Sequence, residues 1–144
     1  MVLKKQSVNL KKFVNKMTII GNGVDIVNNL RIKKSIKNNK FINRIYSNKE
    51  INDSKKIKNK TNFFAKRFAA KEAFAKSLGT GFVKDLNFKD ISIMNNKFGR
   101  PEIEINKKIK NILNNKFKIK KFKIFLSLAD EKNHSIAFVI INKE

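Results

Sequence analysis

Residues 61 to 81 constrain this chain more than any other stretch: Thr-Asn-Phe-Phe-Ala-Lys-Arg-Phe-Ala-Ala-Lys-Glu-Ala-Phe-Ala-Lys-Ser-Leu-Gly-Thr-Gly. The run is rich in Ala and Lys, lacks Pro and internal Gly, and so favours a long helix. Thr61 or Asn62 can cap its start, and Gly79 falls where a left-handed C-terminal cap belongs. At about 100° per residue, Phe64, Phe68, Ala75 and Leu78 share one arc. Ala69, Ala70, Ala73 and Ser77 form a second arc, small enough for close backbone approach. A helix with two such arcs is buried over much of its circumference, which makes its charges informative. Lys71 lies inside the apolar arc; Glu72 and Lys76 stand one turn apart on its flank. By pattern alone, Lys71 is a snorkelling lysine and Glu72–Lys76 an ordinary surface pair.

Composition narrows what surrounds that helix. The chain has 144 residues, 41% of them hydrophobic, with thirteen Phe, five Gly and one Pro. That suits one folded domain with a modest core. There is no Cys and a single His, His134. Disulfides, thiolate chemistry and multi-histidine metal sites are excluded, so any metal must be held by oxygens, as a hard cation such as Mg²⁺ is. No apolar run approaches the roughly 20 residues of a membrane span. Residues 1–16 are basic and lack the apolar stretch and cleavage site of a secretory signal. The expectation is a cytoplasmic protein whose residues 1–16 are a disordered arm or precede the true start at Met17, with residues 17–144 as the domain.

The net charge of +23 suggests nucleic acid, but only four of the 34 basic residues are Arg. Lys, Asn and Ile are what A+T-rich codons supply, and the lysines are scattered through every segment. Arg is the side chain suited to bidentate phosphate and base contacts. A basic surface would still attract acidic proteins and phosphorylated ligands.

Along the chain, residues 18–27 read as a β-branched strand. In an extended run Ile19, Gly21, Gly23 and Asp25 share one face, and Ile20, Val24 and Ile26 the other. Asp25 is therefore a lone carboxylate on a face cleared by two glycines; it suits a close-approaching ligand or a strand-end pair with a lysine. Residues 28–60 read as broken helix, with 47–60 polar and exposed and Asn52-Asp53-Ser54 as a turn. Gly79-Thr80-Gly81 is a short loop. Residues 88–105 read as a hairpin, 105–117 as a helix, and 122–128 with 136–140 as two alternating strands. The sum is an α+β fold: an antiparallel sheet of about five strands packed around the central helix.

Two stretches, Gly-Asn-Gly-Val-Asp-Ile-Val at 21–27 and Arg-Phe-Ala-Ala-Lys-Glu-Ala-Phe-Ala-Lys-Ser-Leu-Gly-Thr-Gly at 67–81, resemble the two signatures of the holo-acyl-carrier-protein synthase family, the small bacterial 4′-phosphopantetheinyl transferases. The resemblance extends over residues 17 to 142, including Gly99-Arg100-Pro101 and the segment from Ser127. It implies a homotrimer with active sites between subunits. The implied reaction moves 4′-phosphopantetheine from coenzyme A to a serine of apo acyl carrier protein in support of fatty acid biosynthesis, releasing adenosine 3′,5′-bisphosphate. By matching position, Asp25 and Glu72 are the implied Mg²⁺ ligands. Lys76, and Glu72 as a possible base, are the implied catalytic groups. Arg67, Phe68, Lys76, Gly79, Thr80 and Gly81 are implied to bind coenzyme A, and Arg31 to meet the acidic carrier protein. Two departures stand out. Ser127-Leu128 replaces the Ser-x-Ser-His often found in the late strand, and Asn28 replaces a Glu often found three residues after the first metal Asp. The larger surfactin-type transferases carry a second acid two residues after that Asp, where this chain has Val27. The alternative is a basic, ribosome-associated nucleic-acid module; it explains the charge but not Asp25 and Glu72 in apolar elements.

Overall fold

The glycine-spaced segment forms β1 (Thr18–Asn28), and the chain then makes three short helices, α1 (Asn29–Ser35), α2 (Asn39–Ile45) and α3 (Asn48–Ser54). The computed structural model describes residues 18–82 and 85–144; the N-terminal arm expected at residues 1–16 lies outside them. The long helix α4 (Lys60–Ser77) follows, and a short 3-10 turn at Phe88–Asp90 leads into β2 (Ile93–Asn95) and β3 (Pro101–Ile103). Helix α5 (Lys107–Phe117) and strands β4 (Phe122–Asp130) and β5 (His134–Lys143) complete the order.

The strands do not join into one sheet. β1, β5 and β4 form a three-stranded antiparallel sheet with β5 in the middle, while β2 and β3 pair separately as a hairpin. Strand alternation sets which residues pair, but not which ladder they join, so the expected five-stranded sheet divides into three and two. A second correction lies in β1. Its register with β5 shifts between Ile19 and Gly21. That bulge turns Ile19 out to 61% exposure while Ile20 packs toward the core. Ile19 therefore does not share a face with the two glycines.

Helix α4 is the core of the molecule and packs on β1 and β5. Phe64, Phe68, Ala75 and Leu78 of one arc and Ala69, Ala70, Ala73 and Ser77 of the other are all buried, as the two arcs required. Asn59, just ahead of the residues expected to cap it, accepts from Asn62 N at 3.1 Å. Gly79 ends the helix at φ 74°, with its N–H on the Lys76 carbonyl at 2.8 Å. Asparagines cap four of the five helices: Asn28, Asn38, Asn59 and Asn106.

Where α4 crosses β1 the backbones nearly touch. A Cβ on Gly21 would strike the Ser77 carbonyl, and one on Gly23 the Ala73 carbonyl. Both obstacles are backbone and cannot swing aside. Gly23→Ala should therefore cost about 2–3 kcal/mol by overpacking. A denaturant midpoint equal to wild type would show that the seam has slack.

Candidate active site

The glycine seam brings three charged side chains together. Asp25 lies on the β1 face toward α4, its side chain 14% exposed, and Lys76 Nζ sits 2.7 Å from Asp25 Oδ1. The same ammonium donates to the Val24 carbonyl at 3.1 Å. Glu72 stands one turn before Lys76, at the edge of the buried helix surface. Burial pushes the Glu72 carboxyl above its ordinary range, and the Asp25 charge pushes the same way; Lys76 and Arg31 oppose them. Asp25 and Glu72 are thus two acids close enough to repel, with one ammonium between them and solvent. The pair expected on the helix, Glu72 with Lys76, is replaced by a cross-element pair, Asp25 with Lys76.

Arg31 is delivered to the edge of this cluster by α1. Asn28, the departure from the family pattern, caps that helix by accepting from Leu30 N at 2.9 Å and Arg31 N at 3.1 Å. The Arg31 guanidinium carbon is 6.0 Å from the centre of the Phe68 ring. Phe68 belongs to an aromatic column: it stacks on Phe41 at 6.4 Å and on Phe88 at 5.3 Å, and Phe88 stacks on Phe82 at 4.0 Å. Gly79 and Thr80 are exposed, and Gly81 is half-buried with φ 66°.

Arg67 is not with them. Nine residues separate it from Lys76, which at about 100° each puts the two on opposite sides of α4. Arg67 is only 6% exposed. Its guanidinium lies 3.5 Å over the Phe63 ring and makes two long hydrogen bonds, to the Phe63 carbonyl at 3.4 Å and to Asn95 Oδ1 at 3.3 Å. Its Nε has no hydrogen-bond partner among the described residues. Burial depresses its pKa, and the more distant Glu50, Asp53 and Tyr46 oppose that. It forms part of the wall of an open cleft of about 780 Å³, together with Lys49, Lys56, Lys66, Asn62 and Asp130. Asp130 is tied down by Lys66 at 2.8 Å and Asn62 at 2.7 Å, and the Lys66 hydrogen bond holds its carboxyl below the usual range.

Sequence reasoning missed one arrangement entirely. The stretch 47–60, read as exposed and turn-like, contains α3, and its Glu50 is fully buried against Lys71, Nζ to Oε2 2.8 Å. Lys71 does not snorkel to the site's edge or an interface. Its ammonium also donates to the carbonyls of Phe88, at 3.0 Å, and of Ile91. A signal for Glu50 was present in Ser47-Asn48-Lys49-Glu50, which forms a capping box: Glu50 N donates to Ser47 Oγ at 3.2 Å and Ser47 N to Glu50 Oε2 at 2.7 Å.

Fold and site together define an α+β protein with two carboxylates and a lysine on the seam between its first strand and its central helix. Residues 21–139 match the 4′-phosphopantetheinyl transferase superfamily, and the chain belongs to that family. It is 55% identical over 128 residues, 89% of this chain and 100% of the relative, to a holo-(acyl-carrier-protein) synthase of Pelagibacter ubique. The solved holo-(acyl-carrier-protein) synthase of Neisseria meningitidis superposes with a TM-score of 0.77 at 34% identity, covering 88% of this chain and 100% of that one. A Bacillus anthracis synthase solved in complex with coenzyme A (3′,5′-ADP) gives 0.72 at 33% identity, covering 88% and 98%.

Because burial is the larger cause of the Glu72 shift and Asp25 the second, Asp25→Asn should move the Glu72 titration part of the way back toward the ordinary carboxylate value. The raised pKa also carries a sign for stability. Glu72 holds its proton more tightly folded than unfolded, so its contribution is present below the unfolded pKa and is lost as pH rises through the folded one. Carboxyl-carbon NMR of the metal-free protein checks this; an unmoved Glu72 would show that the two acids do not sense each other.

Proposed function

We propose that this chain is a holo-acyl-carrier-protein synthase, transferring 4′-phosphopantetheine from coenzyme A to a serine of apo acyl carrier protein. The observation that carries the reading is the convergence of Asp25, Glu72 and Lys76 on the glycine seam, in a chain that matches the family across that region. In the reaction the serine oxygen bonds to the β-phosphorus of coenzyme A. The bond from that phosphorus to the bridging oxygen breaks, and adenosine 3′,5′-bisphosphate leaves.

The residues suit Mg²⁺. Burial and the Asp25 charge raise the cost of ionising Glu72, and a hard cation held by one or two carboxylates plus water and phosphate relieves that. Bound there, Mg²⁺ would neutralise charge on the pyrophosphate and polarise the phosphorus under attack. The chain's own side chains supply the rest. Lys76 is half exposed on its side chain and anchored only through Asp25 and a strand carbonyl, so it is free to turn to the leaving phosphate and stabilise or protonate it. Glu72, the second acid of the cluster, would accept the serine proton. Arg31 faces outward from α1 beside the Phe68 column and suits an acidic carrier protein.

Arg67 suits a phosphate of coenzyme A, because the Nε of this buried guanidinium has no hydrogen-bond partner among the described residues and an anion would supply one. Its place on the far side of α4 from Lys76 fits a site made between subunits, with one chain giving the Arg67 cleft and its neighbour the Asp25 cluster. The outer face of the three-stranded sheet supports such an assembly. Val24 and Phe138 are paired across β1 and β5, as are Ile26 and Ile136, and all four are at least 40% exposed. Contiguous apolar side chains on an open sheet favour cover by another chain. The proposed assembly is a homotrimer acting in the cytoplasm for fatty acid synthesis. No helix of the described residues is long and apolar enough to cross a membrane.

Incubation with coenzyme A, Mg²⁺ and apo carrier protein should add the mass of one phosphopantetheine to the carrier by mass spectrometry. Asp25→Ala and Glu72→Ala should each lower turnover by about 10²-fold or more; full activity in either sinks the metal assignment. Phe138→Lys should convert the oligomer seen by light scattering to monomer and abolish transfer together. An active monomer would refute the shared site.

A further inference from the structure

The Glu50–Lys71 pair has no part in the chemistry just proposed, yet two of the partners it holds, Ile93 and Phe88, lead to residues placed on the coenzyme side. Glu50 Oε1 accepts from Ile93 N at 3.1 Å, which fixes the start of β2. β2 ends at Asn95, the side-chain acceptor of Arg67. Lys71 holds the Phe88 carbonyl at 3.0 Å, and the Phe88 ring stacks on Phe68. The Phe88 ring also stacks on Phe82, the residue after Gly81, at 4.0 Å. Ser47 Oγ and Ser92 Oγ share a hydrogen bond at 2.9 Å, so α3 and the approach to β2 are tied a second time.

The other end of the site is held independently. Asp25, Glu72 and Lys76 are placed by the contact of Gly21 and Gly23 with the α4 backbone and by the Asp25–Lys76 pair. Neither contact involves Glu50, Lys71 or the hairpin.

We propose that Lys71, through its buried pair with Glu50, is a positioning residue for coenzyme A: it holds Asn95 against Arg67 and Phe88 against Phe68. This rests on the transferase reading above. A pair of this kind is poor evidence for added stability, because two charges are desolvated to make it, and fixing one arrangement among several is a better account of its presence. Lys71 makes three hydrogen bonds with its three donors, so the ammonium has one orientation.

The partition gives a test that a purely structural role would not pass. Lys71→Met alone strands a buried carboxylate and is expected to lower the melting temperature, so the deciding variant is Glu50→Gln/Lys71→Met. It removes both charges and keeps an amide to accept from Ile93 N. The folded double variant should show a KM for coenzyme A raised about tenfold, as for a small misplacement of binding groups, with kcat and the carrier-protein KM within about twofold of wild type. An unchanged coenzyme A KM overturns the proposal, and so does a loss confined to kcat, which would place the effect on the metal side. A double variant that does not fold also overturns it, since the pair would then be a condition of stability. If wild-type protein does not load the carrier, the transferase reading fails on its own. Calorimetric binding of coenzyme A, about tenfold weaker in the double variant, then reads the pair separately.

Discussion

A single ion pair with no access to water, Lys71 with Glu50, is the contact on which the arrangement of the smaller elements depends. Burying two charges costs several kcal/mol each, and the mutual attraction offsets this only when the remaining donors and acceptors are also used. Here they are. Lys71 reaches one carboxylate and two carbonyls, while Glu50 accepts from Lys71, from Ser47 N and from Ile93 N. Helix α3 is only seven residues long and β2 only three, so neither would persist alone. Burial of Ile91 and Ile93 supplies the apolar drive, and the pair selects which face of α4 those residues meet. Burial depresses the pKa of Lys71, and the contact with Glu50 works against that shift. Removing either partner would leave a buried charge alone, at a cost of about 3–5 kcal/mol.

Three cations along α4 meet three different ends. Lys71 is internal and satisfied. Lys76 is external and balanced by Asp25, a pairing in which half of the ammonium's side chain stays in solvent. Arg67 is internal and incompletely satisfied: two long hydrogen bonds, a stacked Phe63, and a buried Nε with no partner among the described residues. The order matters because solvent screens the second and cannot screen the third. A surface pair such as Lys76–Asp25 is worth about 1 kcal/mol or less and is easily exchanged for another partner. That suits a group asked to move between a carboxylate and a phosphate. A buried guanidinium lacking an anion is destabilising until one arrives, so on the proposed reading an anion would gain more at Arg67 than at the surface lysines.

The central helix and the glycine face were legible because both follow from steric rules acting over a few residues. Alternating Gly21 and Gly23 announces a close approach, and the arc of Ala69, Ala73 and Ser77 announces what approaches. The β1 bulge was not legible: Ile20 has the same residue type as Ile19, and its displacement is imposed by the partner strand. Nor was the division of five strands into two sheets, since β2 is held by α4 and Glu50, and β3 lies beside β4 without a ladder to it. The segment 47–60 was misread for a different reason. Its one fully buried large side chain is a glutamate, so a search for apolar periodicity finds nothing there, and the capping box was the better guide. Asparagine was likewise underread. Its abundance fits A+T-rich codons, yet four of these residues close helix N-termini and a fifth, Asn29, fixes the β4–β5 turn through the carbonyls of Glu131 and Lys132.

The same geometry bears on why the proposed reaction would call for more than one chain. A pyrophosphate joins the two halves of coenzyme A, so the groups that meet it and those that meet the nucleotide phosphates must face a common volume. In a single chain Arg67 and Lys76 are separated by the width of α4, which is filled by Ala69, Ala70, Ala73 and Phe74, all without solvent exposure. No side-chain rotation brings them together, because that helix is the core and cannot turn without unmaking the seam with β1. A second copy can meet the requirement without moving any element. The three-stranded sheet that carries Asp25 on its inner face is apolar on its outer face, so the strand that positions the acids is also one that favours association. On that reading the glycines serve both ends. By letting α4 lie directly on β1 they set the depth of Asp25, and by keeping β1 flat against the helix they leave its other face free to be covered.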